Sequence, residues 1–490
     1  MQMKKIVIII CMLILFAPIK ADASDGSSYV YDGYIYDFWG NALDSPAAFT
    51  LERVIDESNL EGIKLLGVDD VCASKDGRIF IVDTLESRVN VFDEEGQLLR
   101  SLKVIRGADG KIVTDAITGN QLILTSPQGV FVHEKNKEIY IADTGAYRIV
   151  VLDSDEYTFK RIIERPANMT GVTEFKPSKI VVDHADRIYV VVQSSYEGII
   201  ELNGDGSFSR YFGVTTPRVN LIDYFWKSIA SDEQKAQMSK TFAPAFNNIA
   251  LDGEGFIMAV TYDGASEDMV FRLNSAGKNV LREVGNTPVM GDIHTMWGEN
   301  SQFVDIAVTE YGTYAVVDRQ RGRIFLYNFD GEMLNAFGSK GKLKGQFQMP
   351  SGIAWLGDKL LVSDSMLKCV YILTPTDFGR IALRASEAYY YGRWDEALEL
   401  FKEAIRLNSN YEIAYTGIGK NYLMKDDYEM AMYYFKLGDN REFYSKAYNG
   451  YRSQVLKENF GIVMAIFVVV IGAIVISEIR YHKKGGRKTS

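Results

Sequence analysis

The run Glu138-Ile139-Tyr140-Ile141-Ala142-Asp143, answered after a short turn by Arg148-Ile149-Val150-Val151-Leu152-Asp153, decides the fold. Both stretches are β-branched and aromatic and both end in turn-forming residues, the signature of paired strands. The same phrase recurs between residues 67 and 375. Arg78-Ile79-Phe80-Ile81-Val82-Asp83 is followed by Arg88-Val89-Asn90-Val91-Phe92-Asp93. Tyr314-Ala315-Val316-Val317-Asp318 is followed by Arg323-Ile324-Phe325-Leu326-Tyr327, and Leu360-Leu361-Val362-Ser363-Asp364 by Cys369-Val370-Tyr371-Ile372. Two weaker copies lie at Ile188 to Val192 and Phe256 to Val260. Strand-rich, helix-poor repeats of this length predict a β-propeller with six units, each burying its sheet faces against its neighbours. The fold class is therefore mainly β, with the propeller expected over residues 29–376.

Three copies place an Asp five residues before an Arg: Asp83/Arg88, Asp143/Arg148 and Asp318/Arg323. A guanidinium fork matches a carboxylate across a tight connection. One active site does not need three copies, so the pairs are expected to be structural clamps. The segments Pro127-Gln128-Gly129-Val130, Ala142-Asp143-Thr144 with Arg148-Ile149, and Pro350-Ser351-Gly352-Ile353-Ala354 resemble the NHL-repeat family. The resemblance covers about 310 residues and implies the propeller fold, not an activity, since that fold hosts lyases, lactonases and binding modules. The sixth unit has three strands before Pro375, and Ala47 to Ile55 is expected to supply its fourth. Tyr34 to Trp39 also reads as a strand but has no assigned place. A helical insertion at 215–242 interrupts the rhythm.

Beyond the strands the period becomes helical. Gly392, Trp394, Ala397, Phe401 and Ala404 are matched by Asp426, Tyr428, Ala431, Phe435 and Gly438, a constant offset of 34. The unit at 380–458 therefore resembles two tetratricopeptide (TPR) repeats with a capping helix, which implies a protein partner bound by them. Phe460 to Ser477 carries no charge over 18 residues, enough for about 27 Å of helix and a membrane crossing at 460–477. The basic tail at 478–490 is expected in the cytoplasm by the charge-bias rule. Residues 1–23 read as a signal peptide, with Lys4 and Lys5, an apolar core and Ala21-Asp22-Ala23. The large N-terminal part is thus expected outside the cell, on a single span. Cys72 and Cys369 lie in strand-like runs and read as buried thiols.

The 54 Lys and Arg against 64 Asp and Glu leave a net charge of −10, which gives no footprint for nucleic acid. Aligning the innermost strands produces one column: Asp70, Gly129, Lys179, Asn248, Asp305 and Gly352. Such residues face one mouth of a propeller's channel, so Asp70, Lys179, Asn248 and Asp305 are the candidate ligand-binding set. Asp70, Asn248 and Asp305 offer hard oxygen ligands for Ca²⁺ or Mg²⁺, as the similar lactonases do. No His triad, nucleophile elbow or general base stands out. The chain is read as a membrane-anchored extracellular binding or scaffold protein, with a metal-dependent propeller hydrolase or lyase as the alternative. The propeller–repeat–anchor order resembles bacterial surface proteins of carbohydrate uptake systems, which implies a carbohydrate or a transporter component as partner.

Overall fold

The computed structural model describes residues 30–57, 60, 64–115, 119–193, 195, 197–213, 245–261, 269–285, 287–293 and 300–485. The expected signal peptide and helical insertion lie outside the described residues. Two strands, β1 (Val30–Tyr36) and β2 (Ala42–Ile55), precede the repeats. Four-stranded antiparallel sheets follow: β3 (Val68–Ala73), β4 (Ile79–Asp83), β5 (Arg88–Phe92), β6 (Leu98–Leu102); β7 (Gly129–His133), β8 (Glu138–Asp143), β9 (Arg148–Asp153), β10 (Phe159–Ile163); and β11 (Pro177–Val182), β12 (Ile188–Val192), β13 (Ile199–Leu202), β14 (Phe208–Phe212). A three-stranded sheet comprises β15 (Phe246–Leu251), β16 (Ile257–Thr261) and β17 (Val270–Leu273). The remaining strands are β18 (Phe303–Val308), β19 (Tyr314–Asp318), β20 (Arg323–Tyr327), β21 (Met333–Phe337), β22 (Pro350–Leu356), β23 (Lys359–Asp364) and β24 (Cys369–Pro375). They join β1 and β2 in one nine-stranded sheet, ordered β18-β19-β20-β21-β1-β2-β24-β23-β22.

The arrangement is propeller-like. Innermost strands touch in succession, β3 to β7, β11, β15, β18, β22 and back to β3. Second strands lie between neighbouring sheets and are buried at every position in β4, β8, β12, β16 and β19. This explains their continuous apolar runs, since strands covered on both faces do not alternate. Outer strands β6, β10 and β14 face water for much of their length, whereas β21 is wholly buried. The difference lies in β1, which pairs Gly33 and Tyr34 with Phe337 and Ala336 and removes that edge. Next to it, β2 pairs Phe49 with Pro375 and Ile55 with Val370, filling the fourth place beside β24. Phe49 and Ile55 are both fully buried there.

Helices α1 (Asp377–Tyr390), α2 (Trp394–Leu407), α3 (Glu412–Met424), α4 (Tyr428–Leu437) and α5 (Arg441–Glu458) follow, then α6 (Phe460–Gly485). Within α6, Phe460–Tyr481 is long and apolar enough to cross a membrane, with a mean hydropathy of 2.9. The helices are fastened to the strands. Thr376 caps α1 by accepting from Gly379 N at 3.1 Å, and its hydroxyl donates to Ala47 O at 2.7 Å. Asn408 Nδ2 donates to Ser45 Oγ at 2.9 Å, and Asn335 Oδ1 accepts from Ala48 N at 2.8 Å. Lys420 of α3 is buried against the β20–β21 turn, its Nζ 3.5 Å from Asp330 and 4.9 Å from the Tyr389 and Phe443 ring centres. Burial opposes its charge, but Glu332, Tyr389 and Asp330 together hold its pKa above the ordinary lysine value.

The junction has no slack at Gly379, where an added Cβ would lie 1.8 Å from Ala48 O. Gly379→Ala is therefore expected to destabilise the chain by about 1–3 kcal/mol, as overpacking does. The check is the midpoint of denaturant unfolding, which should fall with the slope unchanged.

Candidate functional site at the channel mouth

The six aligned column residues share one register. Asp70 pairs with Val82, Gly129 with Ala142, Lys179 with Val191, Asn248 with Val260, Asp305 with Val317 and Gly352 with Ser363. Each partner stands one residue before the last position of its second strand or directly before a turn. An irregularity precedes the column residue in every innermost strand but β7, a device that re-aims a side chain. Glycine at 129 reflects contact rather than turn geometry, because an added Cβ would meet Ser178 O at 2.2 Å.

Asp70, Lys179, Asn248 and Asp305 line a single channel cavity of about 280 Å³. Their side-chain oxygens are already engaged. Lys179 Nζ lies 2.5 Å from Asp70 Oδ1, and Val130 N donates to Asp70 Oδ2 at 3.0 Å. Ile353 N donates to Asp305 Oδ2 at 2.7 Å, and Ile249 N donates to Asn248 Oδ1 at 2.7 Å. Three of these contacts join different innermost strands: Lys179 of β11 reaches Asp70 of β3, Asp70 reaches β7 and Asp305 reaches β22. Burial pushes the Asp305 carboxyl up to about 7, with Lys179 opposing and Asp70 adding to the rise. Burial also lifts Asp70 against the pull of Lys179. Burial disfavours the Lys179 charge, yet the Asp70 and Asp305 carboxylates outweigh it and keep its pKa high.

A divalent ion does not suit this donor set. The Lys179 ammonium already supplies the positive charge beside Asp70, and each acidic side chain accepts from a backbone N–H. Among the described residues no group of three or more His, Cys, Asp and Glu is placed to hold a metal.

Above the channel a wider cavity of about 610 Å³ opens at the mouth, lined by Asp69, Gln128, Ser178, Gln193, Asn247, Arg319 and Ser351, among others. Arg319 on its wall follows one of the repeated Asp residues, which hold backbone N–H groups at four places in the repeat. Asp83 accepts from Gly67 N at 2.9 Å, Asp143 from Thr125 N at 2.5 Å, Asp318 from Gln302 N at 2.9 Å and Asp364 from Gln348 N at 2.6 Å. Each carboxylate thus ties down the segment that leads into its own sheet. The next residue latches onto the following sheet: Thr84 Oγ1 donates to Pro127 O and Thr144 Oγ1 to Pro177 O, both at 2.6 Å. Arg319 stands in the same position and donates through Nε to Pro350 O at 3.3 Å.

The expected Asp–Arg clamps form in two of three copies. Arg88 lies 3.3 Å from Asp83, and Arg148 Nε donates to Asp143 at 2.8 Å while its Nη1 reaches Asp115 at 2.5 Å. The third pair is corrected by the structure. Arg323 turns to Asp292 at 2.6 Å and Tyr34 Oη at 3.1 Å, which β1 brings alongside, while Asp318 Oδ1 accepts from the backbone N–H groups of Gln302 and Gln320. Only the backbone pairing of Asp318 with Arg323 remains. Sequence reasoning missed Arg319 and Asp69. The signal for Arg319 was present: it replaces Thr in the repeated Asp-Thr dipeptide. Asp69 carries no such signal.

No protein-family model matches the chain, and no curated protein matches it. Solved structures that resemble it are β-propellers. One is virginiamycin B lyase from Staphylococcus aureus, 14% identical with a TM-score of 0.40, covering 66% of this chain and 99% of that one. Another is a streptogramin B lyase, 15% identical with a TM-score of 0.42, covering 68% and 100%. A third is the β-propeller domain of Myceliophteria thermophila Cps50 (Swd1), 9% identical with a TM-score of 0.39, covering 64% and 99%. These likenesses are of fold.

Two outcomes follow from the geometry. Thr144→Val removes a buried donor to Pro177 O and is expected to cost about 1–3 kcal/mol in denaturant unfolding. Asp305, raised from 3.8 to about 7, holds a proton in the folded chain that the unfolded chain releases, so stability falls as pH rises across that window. Asp305→Asn should flatten that slope between about pH 4 and pH 7 in unfolding midpoints measured at several pH values.

Proposed function

We propose that the chain is a membrane-anchored extracellular binding and scaffold protein, whose NHL-type six-bladed propeller takes a small polar ligand at its mouth. The observation that carries this reading is the contrast between the two cavities. In the channel, Asp70, Lys179, Asn248 and Asp305 are occupied with each other and with backbone N–H groups. At the mouth, side chains from different sheets converge on open space of ligand size. Buried oxygens engaged in this way suit a floor that holds the sheets in register, rather than an acid–base pair free to move protons.

Six innermost strands in cyclic contact support the six-blade count, and the Asp-Thr latches support the NHL assignment. The 34-residue offset supports two TPR-like repeats, formed by α1 with α2 and α3 with α4. Ser386, Tyr389 and Lys420 face the propeller, so the repeats meet a partner on the outward sides of α4 and α5. There Tyr433, Tyr444 and Tyr448 are exposed. The partner is a membrane component of an uptake system, with carbohydrate uptake the class implied by the sequence resemblance. The signal peptide, the extracellular propeller and the cytoplasmic tail belong to the same reading.

A photo-crosslinking residue at Tyr448 in intact cells should capture one defined membrane protein, while the same residue at Lys111 captures none. External protease should remove the propeller from intact cells. Protection of the propeller, or identical capture at both positions, would overturn the proposal.

A further inference from the structure

In two units the residue after the repeated Asp is a Thr with a single structural task, and the residue that stands in its place at the mouth has another. At the position after the repeated Asp, Thr84 and Thr144 spend their only hydroxyl on the next sheet's Pro carbonyl. Arg319 makes the equivalent latch with Nε alone. Its two terminal amino groups remain on the wall of the 610 Å³ cavity, and no carboxylate among the described residues pairs with them. Latching by Nε also fixes the plane of the fork, so little rotamer freedom is left to lose when a ligand binds. Asp69 lines the same cavity and makes no side-chain hydrogen bond among the described residues, its charge acting only at longer range on Lys179. The cavity thus presents one guanidinium and one carboxylate that do not satisfy each other.

Resting on the mouth-binding reading above, we infer that the ligand is a small carboxylate that also carries a hydrogen-bond donor. The ligand's carboxylate sits on the Arg319 fork, and its hydroxyl or ammonium donates to Asp69. Planar two-bond recognition of a carboxylate is what a guanidinium does best. The amides of Gln193 and Asn247 on the same wall add neutral donors and acceptors. Lys179 also lines this cavity, but it lies 2.5 Å from Asp70, so a carboxylate already meets its charge.

The shared chemistry has two sources, a sugar acid or an amino acid, and thermal melting of the detergent-solubilised full chain separates them. Glucuronate and alanine are the charged probes and glucose the uncharged comparator. One charged probe should raise the melting temperature of the wild type while glucose does not. Arg319→Gln should abolish that shift, Arg319→Lys should weaken affinity about tenfold, and Asp69→Asn should weaken it while leaving the ligand-free melting unchanged. Should Arg319→Gln fail to fold, Arg319→Lys and Asp69→Asn decide the matter. No shift with either charged probe, or a shift that survives in the Arg319 variants, would overturn the inference. A glucose shift kept in Arg319→Gln but lost in Asn247→Leu would overturn the carboxylate assignment and leave mouth binding standing.

Discussion

The pairing of β2 with β24 is the constraint on which the rest of the structure depends. One face of Ala42–Ile55 completes the last sheet, while its other edge holds β1, and through β1 the strand β21. The same segment receives the helices, with Ala47 O and Ala48 O accepting from Thr376 and Ser45 accepting from Asn408. Ring closure and docking of the helical unit are therefore one event in space. A sheet ring left open would expose unpaired N–H and C=O groups on two edges, which favours pairing with other chains.

Repetition and its exceptions separate structure from recognition. The recurring Asp holds a backbone N–H 16 to 18 residues upstream in its own unit, from Asp83 to Gly67 and from Asp143 to Thr125. The recurring Thr binds the neighbour. These bonds are local in the repeat and identical in purpose, so they appear in sequence as a period. Arg319 and Lys179 break that period. The first opens onto the mouth, and the second neutralises Asp70 in the channel.

This also explains how much could be read beforehand. Strand positions, the innermost column and the place of Phe49 beside β24 were legible because apolar periodicity and turn residues carry them. The column was readable because the starts of the innermost strands align in sequence. The Asp318/Arg323 pairing was not, since the choice of Asp292 is made by a loop and by β1, which lie outside the repeat. The contact of Lys420 with Asp330 was equally hidden: it joins elements about 90 residues apart that share no pattern. Tyr34 found its place only through β21, an edge the repeat leaves open.

The order of synthesis gives β2 an unusual burden. It leaves the ribosome before any repeat, yet its partner, Cys369–Pro375, is made after all of them and shortly before the apolar helix Phe460–Gly485. The early sheets can collapse as they are made, but the ring cannot shut until the last of the strands exists. A waiting strand of that length is a sticky edge, and a product truncated before Cys369 would be a ring with no clasp.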